Sequence, residues 1–153
     1  MQRLVTLSDY FSPHGPGKDE DQRMARADET LSRCNFLLVK FLVDYPDIYL
    51  PRCRSGFRTE DMNKSMVGAS PQSKHMSAEA IDLNDRFRVL ARWCVNNLAL
   101  MERAGVWMED PRCTPVSVHW QIVPPKNQRR IFVPDHDWSA RISDYPLTPE
   151  SMI

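Results

Sequence analysis

Three separated stretches of the sequence hold residue types that can do hydrolytic chemistry at a metal. In Ser73-Lys-His75-Met-Ser-Ala-Glu-Ala80-Ile-Asp82 a histidine leaves a loop and a carboxylate lies near the end of an apolar run. Ala80, Ile81 and Leu83 are buried types, and a carboxylate among them is costly unless it is paired or metal-bound. In Val116-Ser-Val-His119-Trp-Gln-Ile-Val123, His119 sits in mid-strand on the face opposite Val118 and Trp120. Alone, such a residue is more often a core histidine bonded to backbone. In Ser55-Gly-Phe-Arg58-Thr59 an arginine leaves a strand just after a glycine, and alone it reads as a surface or salt-bridging group. Taken together, two neutral imidazoles and one carboxylate are a ligand set for catalytic zinc, with the fourth position left to water. Zinc brings the pKa of such a water toward ~7, and a nearby arginine can stabilise the oxyanion formed at an attacked carbonyl.

The rest of the chain must position these groups. Its 153 residues, 42% hydrophobic and 26% charged, suit one compact domain. A domain of this length buries roughly two thirds of the surface of its unfolded chain and needs no staple. Twenty basic against twenty acidic residues leave no net charge, which argues against a nucleic-acid partner because there is no basic excess to displace phosphate counterions. The longest apolar run, Phe36 to Val43, is interrupted by Lys40 and falls short of the roughly 18 residues needed to span a bilayer, so no membrane partner is expected. Met1 to Phe11 lacks the apolar stretch of a signal peptide, so the expectation is a chain made in a cytoplasm and not exported by a cleaved signal. Cys34, Cys53, Cys94 and Cys113 are widely spread with no C-x-x-C, which reads as free thiols rather than a disulfide framework or a four-cysteine zinc site.

Periodicity begins at Asp28 as an N-cap. Leu31, Cys34, Leu38, Phe41, Leu42 and Tyr45 then share one helical face until Pro46. Thr59 caps a short helix ending at Gly68, and Ala80 to Leu83 reads as a strand. Asn84 or Asp85 opens a second long helix with Phe87, Leu90, Cys94, Leu98 and Met101 facing the core and Gly105 as its stop. Val106–Met108, Val116–Val123 and Arg130–Val133 read as further strands. Twelve prolines against five glycines fit a loop-rich chain, and the expectation is an α+β fold: two longer helices on a small, largely antiparallel sheet. Residues 1–27 read as an N-terminal arm and loop carrying a solvated His14, residues 28–134 as the functional domain, and residues 135–153 as an irregular tail. Asp135-His136-Asp137 lies in that tail and reads as solvated; Trp93 and Trp107 fit core patterns, as do Met62 and Met66. Trp120 could line a cleft or simply pack.

Ser73-x-His75-x-x-Ala78-x-Ala80-x-Asp82 resembles the S-x-H-x-x-G-x-A-x-D signature of the zinc D-Ala-D-Ala carboxypeptidases and phage L-alanyl-D-glutamate endopeptidases. Ser55-Gly-Phe-Arg58-Thr59 is similar to that family's S-G-[YF]-R-[ST], and Asn63 followed by Gly68-Ala-Ser-Pro-Gln-Ser-Lys-His75 continues the likeness. Val118-His119-Trp-Gln121, Pro124-Pro and Arg129-Arg-Ile-Phe-Val-Pro134 resemble its last strand and hairpin, so the similarity runs from about Phe36 to Pro134. The resemblance implies a hedgehog/DD-peptidase-like α+β fold, with Zn2+ held by His75, Asp82 and His119 and Arg58 facing the substrate carbonyl. It also implies peptidoglycan stem peptides or cross-links as substrate. A phage product would reach the wall by holin-assisted release or on the virion, with tail proteins as possible partners.

Two departures stand out. Ala78 replaces the signature glycine, which is mild if the backbone there does not need positive φ. The family's usual acid three residues before the last histidine is here Val116, and Pro115 to Val118 contain no acid. The nearest acids in sequence are Glu109 and Asp110. Either could fold back as general base, Asp110 being the preferred candidate, or both could be solvated loop acids; Glu79 is weaker. A base contributes 10²–10⁴-fold in rate. The departures therefore leave a second reading open: a virion structural or wall-binding protein that keeps the fold with little or no catalysis.

Overall fold

A computed structural model describes residues 4–17, 19–48 and 50–134. Its first helix, α1 (Leu7–Phe11), starts from a capping box in which the Thr6 side chain accepts from the Asp9 N–H and the Asp9 carboxylate accepts from the Thr6 N–H. The second, α2 (Glu20–Asp44), begins eight residues before the expected start at Asp28. Its opening turns are charged and face solvent, so they show no apolar period. Glu20 and Asp21 nevertheless suit the positive end of the helix dipole. Further along, Leu31, Cys34, Leu38 and Phe41 are buried as the spacing requires, Leu42 is half-buried and Tyr45 is exposed at the C-cap, while Leu37, off the expected face, is buried too.

The first strand, β1 (Cys53–Ser55), leads into α3 (Glu60–Ser65), capped by the Thr59 hydroxyl on the Met62 N–H at 3.3 Å. After the long loop holding His75 comes β2 (Ala80–Asn84). The expected second long helix is two: α4 (Val89–Asn96) and α5 (Leu98–Ala104). Asn97 breaks it, with φ −125° and ψ 39° and its side-chain amide donating to the Trp93 carbonyl, the backbone competition that disfavours asparagine inside helices. The break turns Leu98 outward, and Phe87 lies before α4 begins, so both are exposed while Leu90, Cys94 and Met101 are buried. Gly105, at φ 62°, closes α5.

The remaining strands are β3 (Trp107–Glu109), β4 (Ser117–Gln121) and β5 (Ile131–Phe132). They form a five-stranded sheet in the order β1-β2-β4-β3-β5, antiparallel except for β3 beside β5. The fold is α+β, with helices packed on one face of this sheet over Leu31, Phe41, Ile81, Leu90, Val118 and Trp120. Trp120 packs in that core rather than lining a cleft. Cys34, Cys53, Cys94 and Cys113 are free thiols.

The N-terminal segment is not a separate arm. Val5, Tyr10 and Phe11 are buried in the same core, and the Tyr10 hydroxyl donates to the Ala80 carbonyl at 2.8 Å. The Phe57 N–H donates to the Tyr10 carbonyl at 3.0 Å, and a Cβ placed on Gly56 would lie 2.1 Å from that carbonyl oxygen. Glycine is required there by the backbone contact. The tail from residue 135, including Asp135-His136-Asp137, lies outside the described residues.

Candidate active site

Strand register builds the site. In the β2–β4 ladder Asp82 is the direct partner of His119. Val118 and Trp120 point into the core, so His119 and Asp82 project from the other face. His75 arrives on the loop before β2. Its Nδ1 lies 2.6 Å from the Gly56 carbonyl, which can only accept, so Nδ1 carries the proton and Nε2 presents its lone pair to the site. The loop is pinned by the Arg58 N–H donating to the His75 carbonyl at 3.2 Å.

Three ligand atoms converge. His75 Nε2 lies 3.2 Å from His119 Nδ1 and 3.3 Å from Asp82 Oδ1, and His119 Nδ1 lies 2.9 Å from Asp82 Oδ1. A tetrahedral ion with bonds of ~2.0–2.1 Å has ligand atoms about 3.3 Å apart, so this triangle is near the size zinc needs. The three residues form the group of metal-capable side chains among the described residues. Donor type and spacing both fit zinc.

Arg58 is buried and lines the same cleft. Its Nη2 donates to Asp82 Oδ2 at 2.7 Å and its Nε to Ser55 Oγ at 2.9 Å, so it fixes the carboxylate that faces the two imidazoles. Its Nη1 has no hydrogen-bond partner among the described residues. Burial opposes charge on Asp82, but the positive fields and hydrogen bonds of His75 and His119 win and hold its carboxyl well below the usual carboxylate range. Burial keeps the His75 imidazole below its ordinary pKa, against the pull of Asp82. For His119 burial acts the same way, but the hydrogen bond and charge of Asp82 raise it above the ordinary value.

The two acids at the end of β3 part company. Asp110 is buried, but its carboxylate is bound by Arg112: Oδ1 accepts from the Arg112 N–H at 2.9 Å and Nε at 3.0 Å, and Oδ2 accepts from Nη2 at 2.8 Å. It does not line the cleft; it staples the turn after β3, and the preference for it as base is corrected on that ground. Glu109 does line the cleft. The β3–β4 register pairs Trp107 with Gln121 and Met108 with Trp120; one step further sets Glu109 opposite His119. Asp82, His119 and Glu109 thus form a row across three adjacent strands. Glu109 is half-buried, and its carboxylate makes no hydrogen bond or ion pair among the described residues. Burial raises its pKa above the ordinary value, with the charges of Asp82 and Asp110 adding to this and His119 opposing it.

The cleft has a volume of about 450 Å³. Met66 and Val67, exposed rather than core, line it together with Ser70, Gln72, Pro124, Phe132 and Val133. Glu79 is engaged by Arg26, Lys74 and Ser77 and is not part of the lining. Ala78, in place of the signature glycine, sits at φ 57° and is fully buried, so this position does require the left-handed conformation. The substitution carries a strain cost that the sequence did not reveal.

No curated protein and no solved structure matches the chain. Residues 50–99, which carry Arg58, His75 and Asp82, match the family described as Peptidase M15.

Proposed function

We propose that the chain is a zinc-dependent peptidase that hydrolyses amide bonds in peptidoglycan stem peptides or cross-links, with Glu109 as its general base. The observation carrying this reading is the convergence of His75, Asp82, His119 and Glu109 on one cleft, in a chain whose residues 50–99 match the Peptidase M15 family. His75, Asp82 and His119 would hold the metal. When bound, zinc supplies Lewis acidity, making water acidic near neutral pH and polarising a carbonyl.

The chain's own groups do the rest. Gly56 fixes the tautomer of His75, and Arg58 fixes Asp82. The Arg58 Nη1 is the donor available to a carbonyl oxygen that gains charge. Glu109 takes a proton from the attacking water and returns it to the leaving amine, and its raised pKa suits both halves of that exchange. A phage source, with action at the wall after lysis or on a virion, is supported by the resemblance of the signature residues to phage endopeptidases.

The alternative, a wall-binding virion protein without catalysis, rests on the missing acid before His119. Glu109, reaching the site across the sheet, offers that acid by another route. Incubating zinc-loaded protein with purified cell walls, counting freed amines and weighing the fragments by mass spectrometry separates the two. Release of peptide fragments is expected; no release from a protein carrying about one zinc per chain would sink the peptidase reading in favour of the alternative. His75→Ala and His119→Ala are expected to lose most of the zinc. Unchanged zinc content in both would remove them as ligands.

A further inference from the structure

The segment that joins His75 to Asp82 is held from outside the cleft. From His75 the chain turns through Ala78, whose φ of 57° is disfavoured for an L side chain, and enters β2 at Ala80. Local bonds close the turn: the Ala78 N–H donates to the His75 carbonyl at 3.3 Å and the Glu79 N–H to the Lys74 carbonyl at 2.9 Å. Two carbonyls are left for other elements to satisfy. Thr30, a fully buried residue of α2, donates its hydroxyl to the Ala78 carbonyl at 2.8 Å. The Ala80 carbonyl points away from β4, because the Ile122 N–H on the Glu79 carbonyl takes the ladder bond at that step. On its other side β1 pairs with β2 only at Asp82 and Leu83, and the Tyr10 hydroxyl of α1 fills the place at 2.8 Å. Between these two bonds, Arg26 Nε of α2 meets the Glu79 carboxylate at 3.4 Å. Three successive residues, Ala78 to Ala80, are thus tied to the two N-terminal helices.

We infer that Thr30 and Tyr10 are positioning residues for the metal group: their hydroxyls fix the Ala78 and Ala80 peptides and so set His75 and Asp82 at ligand spacing. The inference rests on the reading of His75 and Asp82 as metal ligands and does not depend on hydrolysis. Neither hydroxyl touches the three ligand atoms; each acts through the backbone. A buried carbonyl that loses its donor regains a bond only if the chain moves, and the left-handed Ala78 gives the loop a further reason to relax. His75 and Asp82 stand at the two ends of that loop. A shift of either peptide therefore alters the 3.3 Å between His75 Nε2 and Asp82 Oδ1, while His119 stays fixed on β4.

Zinc affinity of the full chain, measured by competition with a chromophoric chelator, tests this. Thr30→Val keeps the branched shape and removes the donor; Tyr10→Phe keeps the ring. Each is expected to bind zinc about tenfold or more weakly than the parent, and Thr30→Ser, which restores the hydroxyl, to bind within about threefold of it. Asp44→Ala is the control. It removes the carboxylate that accepts from the Trp93 indole N–H at 2.6 Å, a loss of the same kind at the far end of α2. It should lower the urea midpoint and leave zinc affinity unchanged, because affinity does not follow the stability margin of a chain that stays folded. Parent-like zinc binding by either folded variant overturns the inference for that residue; if Thr30→Val does not fold, Tyr10→Phe decides. A serine as weak as the valine overturns it as well, and so does an equal zinc loss in Asp44→Ala, which would trace the effect to stability. His75→Ala separates the two readings. Zinc kept there removes the ligand assignment, whereas zinc lost there and kept in Thr30→Val and Tyr10→Phe refutes this inference and leaves the metal group standing.

Discussion

At the scale of single residues, Glu109 carries the sharpest conflict between stability and use. Its carboxyl is half-buried and its pKa is raised, so the folded state holds that proton more tightly than the unfolded chain does. Stability from this group is therefore present at low pH and is lost as pH rises from the unfolded carboxyl range through the raised folded value. Metal-free Glu109→Gln is expected to be more stable than the parent at pH 7 and to lose that advantage near pH 3, measured by urea unfolding at both. The same variant should retain zinc, lose 10²–10⁴-fold in kcat/KM and lose the acid limb of the pH profile. A smaller loss, or an unchanged acid limb, would move the base elsewhere. His75 and Asp82 were legible because signature spacing marks them within one segment, and His119 because it stands alone among β-formers in a strand of its own. The base was not: it sits ten residues before His119 in the chain and reaches it only through the pairing of β3 with β4, which no local spacing encodes.

At the scale of elements, local signals succeeded where one residue controls a boundary. Thr59 and Gly105 mark a helix start and a helix end as expected. They failed where the boundary depends on competition, as at Asn97, or where a helix lies on charged turns, as at Glu20. Helix α4 has an Arg88 N-cap with no side-chain bond; its first N–H groups are served by Asp85, whose carboxylate accepts from Leu90 at 3.1 Å and Ala91 at 2.8 Å. Asp85→Ala should cost about 1–3 kcal/mol by leaving those buried donors unpaired, read as a lower urea midpoint at unchanged slope. Ala78 offers a second test. Ala78→Gly trades relief of the left-handed strain against a lost buried methyl and should change stability by less than about 1 kcal/mol. Ala78→Val adds bulk to a fully buried site at positive φ and should cost about 2 kcal/mol or more. A tolerated valine would mean that the loop before β2 can rearrange.

For the whole molecule, the largely antiparallel sheet and the helices packed on it follow the α+β expectation, but the extent of the folded body does not. Residues 1–27 read as an N-terminal arm and loop, yet Val5, Tyr10 and Phe11 are buried and Asn35 binds both the N–H and the C=O of Val5. Isolated apolar residues in a short segment have no period to reveal them; only the contacts made some thirty to seventy residues away do. A chain beginning at Asp19 should lose on the order of 5 kcal/mol of apolar burial, a large part of the ~5–15 kcal/mol typical of a domain. Urea unfolding that showed the shortened chain as stable as the full one would restore the view of an accessory arm. Gly56 shows what that integration means for engineering. Its carbonyl orients a metal ligand while its bare Cα abuts the first helix, so one missing methyl group couples the start of the chain to metal retention. An alanine there should register as weakened zinc uptake while the circular dichroism spectrum still reports a folded protein, and bulky fusions that pry at the opening helix should copy that phenotype from a distance.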